Sequence, residues 1–172
     1  MSTTEKISTT DTAKLVRKAL RAQWPTEKFG VRRPHQSTWR LEIRWTNGPT
    51  EAEVRAATVG FIGCRTDRWG ALTTHVYEVE GIHYIRTVDL ATYQRIAAAL
   101  VGQNTPRIAP EGLAVKIQTM THIEHIRHEL RQYGDPRQTV TFHGRAVAAR
   151  RNDLAAAVDH VIETTPITTP SK

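Results

Sequence analysis

The sequence predicts an α+β fold in which small antiparallel sheets, formed by hairpins, pack against helices. Its clearest element is the run TWRLEIRWT, residues 38–46, where apolar and polar side chains alternate as in a strand with one buried face. Segments with apolar residues at helical spacing lie on both sides of this strand. A helix-hairpin-helix layout is expected at both ends of the chain, although little residue identity links the two copies.

The alternating strand divides its side chains between two faces. The face expected to be buried against the first helix carries Trp39, Leu41, Ile43 and Trp45, with Phe29 and Val31 beside them, and the face expected to meet solvent carries Thr38, Arg40, Glu42, Arg44 and Thr46. The strand ends at Asn47-Gly48-Pro49. The spacing of Thr50 and Glu53 then predicts a capping box at the start of a helix over about 51–59.

Caps and chain breakers place the other elements of the first half. Asp11 is expected to cap a helix that ends before Pro25, because the residue before a proline is pushed out of helical backbone. KFGVRR, residues 28–33, alternates as a second strand. THVYEVEGIHYIRTV predicts a hairpin turning at Glu80-Gly81, and Asp89 is expected to cap the helix that follows it.

The second half repeats this alternation of helices and strands. LAVKIQT, residues 113–119, is predicted to be a short strand, and THIEHIRHELRQY, residues 121–133, a helix. TVTFHGRAVAA predicts a tight hairpin turning at His143-Gly144. Asn152 or Asp153 is expected to cap the last helix.

Local composition predicts two domains between tails. Residues 1–10 and 164–172 are rich in Thr, Ser and Pro, which is typical of disordered tails. Residues 102–112 are dense in Gly and Pro and are the predicted linker. The linker separates an N-terminal α+β domain, residues 11–101, from a C-terminal α+β unit, residues 113–163.

The charge of the chain favours an anionic partner. The 172 residues carry a net charge of +7 and have a pI near 10.0, with solubility charge as the alternative interpretation. Cys64 is the only cysteine, which excludes an internal disulfide and a multi-cysteine zinc site and fits a reducing cytoplasm. No apolar run approaches the roughly 18 residues of a membrane span, and the polar first residues do not form a signal peptide.

Three stretches in the first half resemble one family when taken in order. They are WPTEKFGVR, residues 24–32, RLEIRWTNGPT, residues 40–50, and HYIR, residues 83–86. Together they resemble a large polyvalent protein associated domain, the class numbered twenty-nine, over residues 12–95. The sequence departs from the family at Gly30, where serine is more frequent, at Asn47, where aspartate is frequent, and over residues 64–70, which lack an expected Phe-Asp-Gly run.

The resemblance implies a context rather than a chemistry. Domains of this family occur in long proteins of bacteriophages and conjugative elements, so the implied setting is mobile DNA in a host bacterial cytoplasm. The family brings no catalytic residue to this chain, and the C-terminal half lies outside the resemblance.

Basic residues near the N-terminus form the candidate nucleic-acid or anion-binding site. They are Lys14, Arg17, Lys18 and Arg21 of the first helix and Lys28, Arg32, Arg40 and Arg44 of the first two strands. The helical four fall within about a third of the helix circumference. The strand arginines are expected to face phosphate, with pairing to Glu42 as the alternative. If the helix covers one sheet face, those arginines lie on the other.

A histidine cluster is the candidate metal site of the second half. On the predicted helix His122, His125 and Glu129 cluster on the flank of the buried side, and two imidazoles with a carboxylate can bind zinc. The histidines are three residues apart, however, whereas the zinc helices of metalloproteases need a spacing of four. We therefore expect a solvated polar flank, no metal and no cofactor. The signatures of nucleotide-binding loops and of hydrolase nucleophiles are missing from the sequence.

Three hypotheses for the function follow, of which an enzyme of unrecognised type is the last. The first is a non-enzymatic accessory module of a phage or mobile element that binds nucleic acid through its basic N-terminal surface. The second is a phage-encoded interaction protein that docks on a host protein and modulates it, for example as an inhibitor of a defence system. Direct imitation of DNA is disfavoured because such inhibitors are acidic. Neither of the first two hypotheses involves a membrane.

Overall fold

The chain folds into two compact units, each with its own buried core. The computed structural model describes residues 5–35, 37–66, 73–104, 108–133, 139–147 and 153–167. The first unit runs to Thr87, and the second extends from Val88 to Ile167. Helices pack with small sheets in both units, which confirms the predicted α+β class.

In its described residues the first unit has two three-stranded sheets, two α-helices and a short 3-10 helix over Val59–Phe61. Its elements are β1 (Glu5–Ile7), α1 (Thr9–Gln23), β2 (Gly30–Arg32), β3 (Arg40–Thr46), α2 (Glu51–Thr58), β4 (Cys64–Thr66), β5 (Thr73–Tyr77) and β6 (Gly81–Thr87). The strand orders are β2-β3-β6 and β1-β5-β4. The β3–β6 and β1–β5 pairs are parallel, so the sheets are mixed where antiparallel sheets were expected.

One face of β3 forms the centre of the first core. Leu41 and Ile43 are fully buried and Trp45 is 3% exposed. Val31 of β2 and Tyr84 of β6 lie in register with Ile43, on the same face of the sheet. This face packs against the residues of α1 that point inward, namely Ala13, Val16 and Leu20. The alternation therefore predicted the burial of β3 against the first helix correctly, and this burial of large apolar side chains is the main stabilising contribution to the unit.

Three side chains of this region lie where the pattern did not predict. Trp39 is 50% exposed because it lies in a bend before β3 begins. Glu42 is 8% exposed although it lies on the face opposite the core. Leu15, which helical spacing predicts on one apolar side with Val16, Ala19 and Leu20, is 38% exposed, because the buried side of α1 runs through Ala13, Val16 and Leu20 instead.

Regular secondary structure begins closer to the N-terminus than the sequence predicted. β1 lies within the stretch predicted to be a tail, where it pairs with β5. The N-cap of α1 is Ser8, not Asp11, because the Ser8 hydroxyl accepts a hydrogen bond of 3.1 Å from the Asp11 backbone N–H. Trp24 ends the helix, as its position before Pro25 predicts.

The hairpin predicted at Glu80-Gly81 is wrong. β5 and β6 belong to different sheets, and the short segment between them bonds elsewhere. The Glu78 N–H donates to the Ile7 carbonyl at 3.1 Å and the Glu80 N–H to the Trp39 carbonyl at 2.7 Å. β6 instead pairs with β3, so that Tyr84 joins the main core. A turn signal such as Glu80-Gly81 is local, so it cannot indicate that β6 pairs with the distant strand β3.

The turn after β3 is fixed by left-handed backbone. Asn47 and Gly48 have φ values of 57° and 61°. A side chain at Gly48 would also be crowded, because a Cβ there would lie 3.1 Å from the Glu27 carboxylate. The Trp45 indole N–H donates to the Pro49 carbonyl at 2.9 Å. The buried tryptophan therefore holds the turn that follows its own strand.

Arg86 binds the same turn from β6. Its Nε donates to the Asn47 carbonyl at 3.1 Å and its Nη2 to the Gly48 carbonyl at 2.9 Å. Partial burial lowers the pKa of this guanidinium. The predicted capping box follows at once: the Thr50 N–H donates to the Glu53 carboxylate at 2.7 Å, and the Glu53 N–H donates to the Thr50 hydroxyl at 3.3 Å.

The second unit has helices around a small hairpin. Its elements are α3 (Leu90–Asn104), α4 (Leu113–Thr119), α5 (Ile123–Leu130), β7 (Val140–Phe142), β8 (Arg145–Val147) and α6 (Leu154–Thr164). The predicted turn is confirmed, since His143 and Gly144 both have positive φ. Asp89 and Asp153 accept backbone hydrogen bonds at the starts of α3 and α6, as predicted. The other proposed cap, Asn152, lies outside the described residues.

The strand predicted over residues 113–119 is wrong, because α4 occupies it. Leu113, Val115 and Ile117 alternate in sequence, but the fold uses them at helical spacing. Leu113 and Ile117 are buried one helical turn apart, and Val115 is 67% exposed. Gly112, with φ of 83°, precedes the helix.

The division between the units precedes α3. The contacts separate the chain between Thr87 and Val88, whereas the predicted linker, residues 102–112, starts inside α3 and lies partly outside the described residues. α3 falls in the second unit because most of its buried apolar side chains, including Tyr93, Leu100 and Val101, pack in the second core.

Trp45→Ala is expected to destabilise the first unit by about 3–5 kcal/mol, because it empties a large buried site and removes the indole bond to the turn. Trp39→Ala is the matched control and should cost less than about 1 kcal/mol, since half of that side chain is already exposed. Denaturant unfolding followed by circular dichroism measures both changes. Equal losses in the two variants would contradict the assignment of the core.

Candidate nucleic-acid interface

The eight candidate bases divide between two surfaces of the first unit. α1 packs on the sheet face that carries Leu41, Ile43 and Trp45. Arg40 and Arg44 alternate with these residues and therefore point from the opposite face. The cations of α1 lie on the outer side of the helix. A layer of helix and a layer of sheet therefore separate the two groups.

The cations of α1 line one continuous stretch of surface. Lys14, Arg17, Lys18 and Arg21, all exposed, border a shallow depression along the helix together with Ala22. A second depression is bordered by Arg17, Arg21, Pro25, Thr26, Glu27, Lys28 and Phe29. Arg17 and Arg21 are common to both. The structure thus brings Lys28 beside Arg17 and Arg21, and we call Lys28 and the four helical bases the α1 basic face.

Members of the α1 basic face differ in how far they are already engaged. Lys14 pairs with the exposed Asp11 carboxylate at 2.8 Å. The Arg17 guanidinium donates to the Val31 carbonyl and so covers part of the exposed edge of β2. Among the described residues, no hydrogen bond or ion pair engages the side chains of Lys18, Arg21 and Lys28. These three cations are therefore the ones available to a partner.

Glu42 organises the opposite face of the sheet. Its carboxylate accepts hydrogen bonds from Arg44 Nε at 2.5 Å and Arg32 Nε at 2.7 Å, and its side chain is only 10% exposed. His83 Nδ1 lies 4.0 Å from its other oxygen. The bonds from Arg44 and then Arg32 lower the pKa of Glu42 to about 2, well below its ordinary 4.5.

The sheet arginines are thus not equivalent. Arg32 and Arg44 share one carboxylate, which cancels half of their charge and fixes both guanidinium groups. Arg40 is exposed, and within the described part of the chain its guanidinium has no hydrogen-bond or ion-pair partner. Glu42 lies between Arg40 and Arg44 in the sequence, so its pairing with one of them could be anticipated. The pairing of Glu42 with Arg32 depends on the β2–β3 register, which the sequence does not reveal.

The connection between β2 and β3 holds exposed residues that the sequence prediction missed. Arg33, His35 and Trp39 are exposed there, next to Arg40. Trp39 was assigned to the buried face because the alternation extends through it. The signal that bears on this segment is Pro34, which interrupts the strand pattern and turns the chain, with the Ser37 N–H donating to the Pro34 carbonyl at 3.2 Å.

The histidine cluster of the second unit is engaged in other contacts. The His122 and His125 rings lie 5.0 Å apart. The Glu129 carboxylate, however, pairs with Lys116 Nζ at 2.8 Å, and this contact lowers its pKa. Tyr133 also donates to it at 3.3 Å. In the described ranges no group of three or more His, Cys, Asp and Glu side chains is arranged to hold a metal, and the expectation of no metal stays a prediction.

None of the helices within the described part of the chain is both long and apolar enough to cross a membrane.

Removing the Glu42 charge should make the first unit less sensitive to acid. A carboxylate with a lowered pKa contributes stability above its unfolded pKa, and this contribution is lost as the pH falls from about 5 towards 2. Glu42→Gln should therefore lose less free energy of unfolding than the wild type between pH 5 and pH 3 in denaturant titrations. Glu51→Gln, at an exposed pair with Arg55, is the control and should follow the wild type. A wild-type pH dependence in Glu42→Gln would contradict the buried pairing.

A comparison with known families matches the first half of the chain. The family model described as Large polyvalent protein associated domain 29 matches residues 7–95, which are 89 of the 172 residues. The match contains α1 to β6 and enters α3, and it confirms the resemblance found in the sequence. No curated protein and no solved structure matches the chain.

Proposed function

The chain belongs to the large polyvalent protein associated domain 29 family, a class of modules associated with bacteriophages and mobile elements, and we propose that it binds nucleic acid through the α1 basic face. The observation that carries the proposal is the group of exposed cations bordering two adjoining depressions, with Lys18, Arg21 and Lys28 unengaged by other described residues. The proposal makes the chain a non-enzymatic accessory module acting in the host bacterial cytoplasm.

Electrostatics support phosphate as the group that is bound. Residues 9–23 of α1 contain four bases and one acid, a net charge of 4 − 1 = +3 within a single helix. Side chains of this kind neutralise phosphates and release condensed counterions, which gives binding that depends steeply on salt. Contacts of this type position a nucleic acid and read little of its sequence.

The sheet arginines are assigned a lesser part. Since Arg32 and Arg44 already bind Glu42, moving either guanidinium onto a phosphate would leave a largely buried carboxylate with one partner fewer. Binding of phosphate by Lys18, Arg21 or Lys28 would not break an existing hydrogen bond or ion pair with another described residue. We therefore propose that the helix, rather than β3, makes the principal phosphate contacts.

Charge reversal at Lys18→Glu with Arg21→Glu tests the proposal. If the wild type engages about four phosphates of duplex DNA, the slope of log K against log salt should be roughly −3 to −4. The double variant should weaken binding at low salt by at least about tenfold and make the slope shallower by roughly 2. Both side chains are exposed, so thermal unfolding should be unchanged.

The control is Arg95→Glu with Arg145→Glu, which changes the net charge equally at exposed positions of the second unit. It should keep most of the wild-type affinity and slope. Equal losses in both double variants would mean that only total charge matters, and would contradict a defined binding face. A wild type that binds no duplex or single-stranded nucleic acid at low salt would overturn the proposal in favour of docking on a host protein.

A further inference from the structure

The connection between β2 and β3, together with the first residue of β3, holds exposed basic residues and an exposed aromatic residue close together in the chain. Arg33, His35, Trp39 and Arg40 are all exposed, and half-exposed Trp39 is the one aromatic residue among the large hydrophobic residues exposed in the described part of the chain. An exposed tryptophan beside arginines is suited to an anionic partner that also has flat apolar surfaces. Nucleic acid bases linked by phosphates have both properties.

Trp39 stands on a fixed backbone. The Thr9 hydroxyl donates to the Thr38 carbonyl at 2.8 Å, which ties the segment to the first turn of α1. On its other side, the Glu80 N–H donates to the Trp39 carbonyl at 2.7 Å. The ring is therefore exposed on an anchored segment, so little conformational entropy is lost when a flat group stacks on it.

The surface beside Trp39 is open and carries an available cation. Arg40 lies in register with Gly81 of β6. A Cβ at Gly81 would meet no atom within 4 Å, so β6 leaves open space at the position in register with Arg40. Glu80 is the nearby acid, and it is exposed. Arg33 and Arg40 against Glu80 leave a net charge of +1 at this end of the sheet.

We propose that Trp39 is a base-stacking residue and that the connection binds single-stranded nucleic acid, with Arg40 and Arg33 holding the adjoining phosphates. The inference rests on the proposed function and narrows its ligand, because a base in a duplex is stacked on both faces and paired at its edge, whereas an unpaired base can offer a free face. The α1 basic face would supply salt-dependent affinity for either form, and Trp39 would supply the preference for single strands.

Binding of the full chain to a twenty-nucleotide oligothymidine and to a duplex of equal length tests this assignment. Trp39→Ala should weaken binding to the single strand by about 5- to 150-fold, the usual effect of removing one stacking partner, and should leave duplex binding nearly unchanged. Trp39→Phe keeps a ring and should retain most of the affinity. Arg40→Ala should make the salt slope for the single strand shallower by roughly 0.7.

The control is Val59→Ala, which removes exposed apolar surface elsewhere in the first unit and should change neither affinity. If Trp39→Ala binds both nucleic acids as the wild type does, the stacking assignment is overturned while the proposed function stands. Equal losses for single strand and duplex would also overturn it. A wild type that binds neither nucleic acid overturns both proposals.

Discussion

The two-sided character of β3 is the constraint on which the rest of the first unit depends. Leu41, Ile43 and Trp45 are buried in one core cluster, where side chains of α1 cover them together with Val54 of α2. α1 does this with its apolar side, which leaves its bases on the outside. Because successive side chains of a strand point to opposite faces, Arg40 and Arg44 are forced to the far side of the sheet. One burial requirement thus divides the basic residues into two surfaces.

Several residues in the stretches that carry the family resemblance fix the turn after β3, and two others in those stretches, Lys28 and Arg40, belong to the proposed binding surfaces. Arg86 binds the Asn47 and Gly48 carbonyls, Trp45 binds the Pro49 carbonyl, and the Thr50–Glu53 box follows directly. Each supplies a side-chain hydrogen bond to the backbone of residues 47–53. The resemblance therefore identifies how the unit folds, and the binding function proposed for this chain rests on exposed side chains such as Lys18, Arg21 and Trp39, outside that turn.

Local signals in the sequence predicted much of this structure. The alternation in β3, the capping box at Thr50 and the turn at His143-Gly144 all depend on residues within a few positions of one another. The errors arose where contacts between residues far apart in the sequence determine the structure. β6 pairs with β3, some forty positions earlier, rather than with β5. In α4 the alternation of apolar residues was compatible with a strand, and only packing of Leu113 and Ile117 in the second core selects the helix.

In the candidate site, too, local features were predicted correctly and features that depend on distant residues were not. Helical spacing predicted the shared face of the α1 bases, because that spacing is a local property. The pairing of Glu42 with both Arg44 and Arg32 requires the β2–β3 register, and the exposure of Trp39 requires knowing where β3 begins. These features determine which cations are available to a partner. The sequence identified the charged residues but not the carboxylate that engages two of them.

The central claim is that a nucleic acid meets the unengaged cations of α1 and not the arginines held by Glu42. The most direct test is an NMR titration of the isotope-labelled chain with an oligonucleotide. The Nε–Hε resonance of each arginine is followed separately, so that each guanidinium gives its own signal. The account predicts that the Arg21 signal moves at the first additions while the Arg32 and Arg44 signals stay in place. Movement of Arg32 and Arg44 with a stationary Arg21 would contradict it.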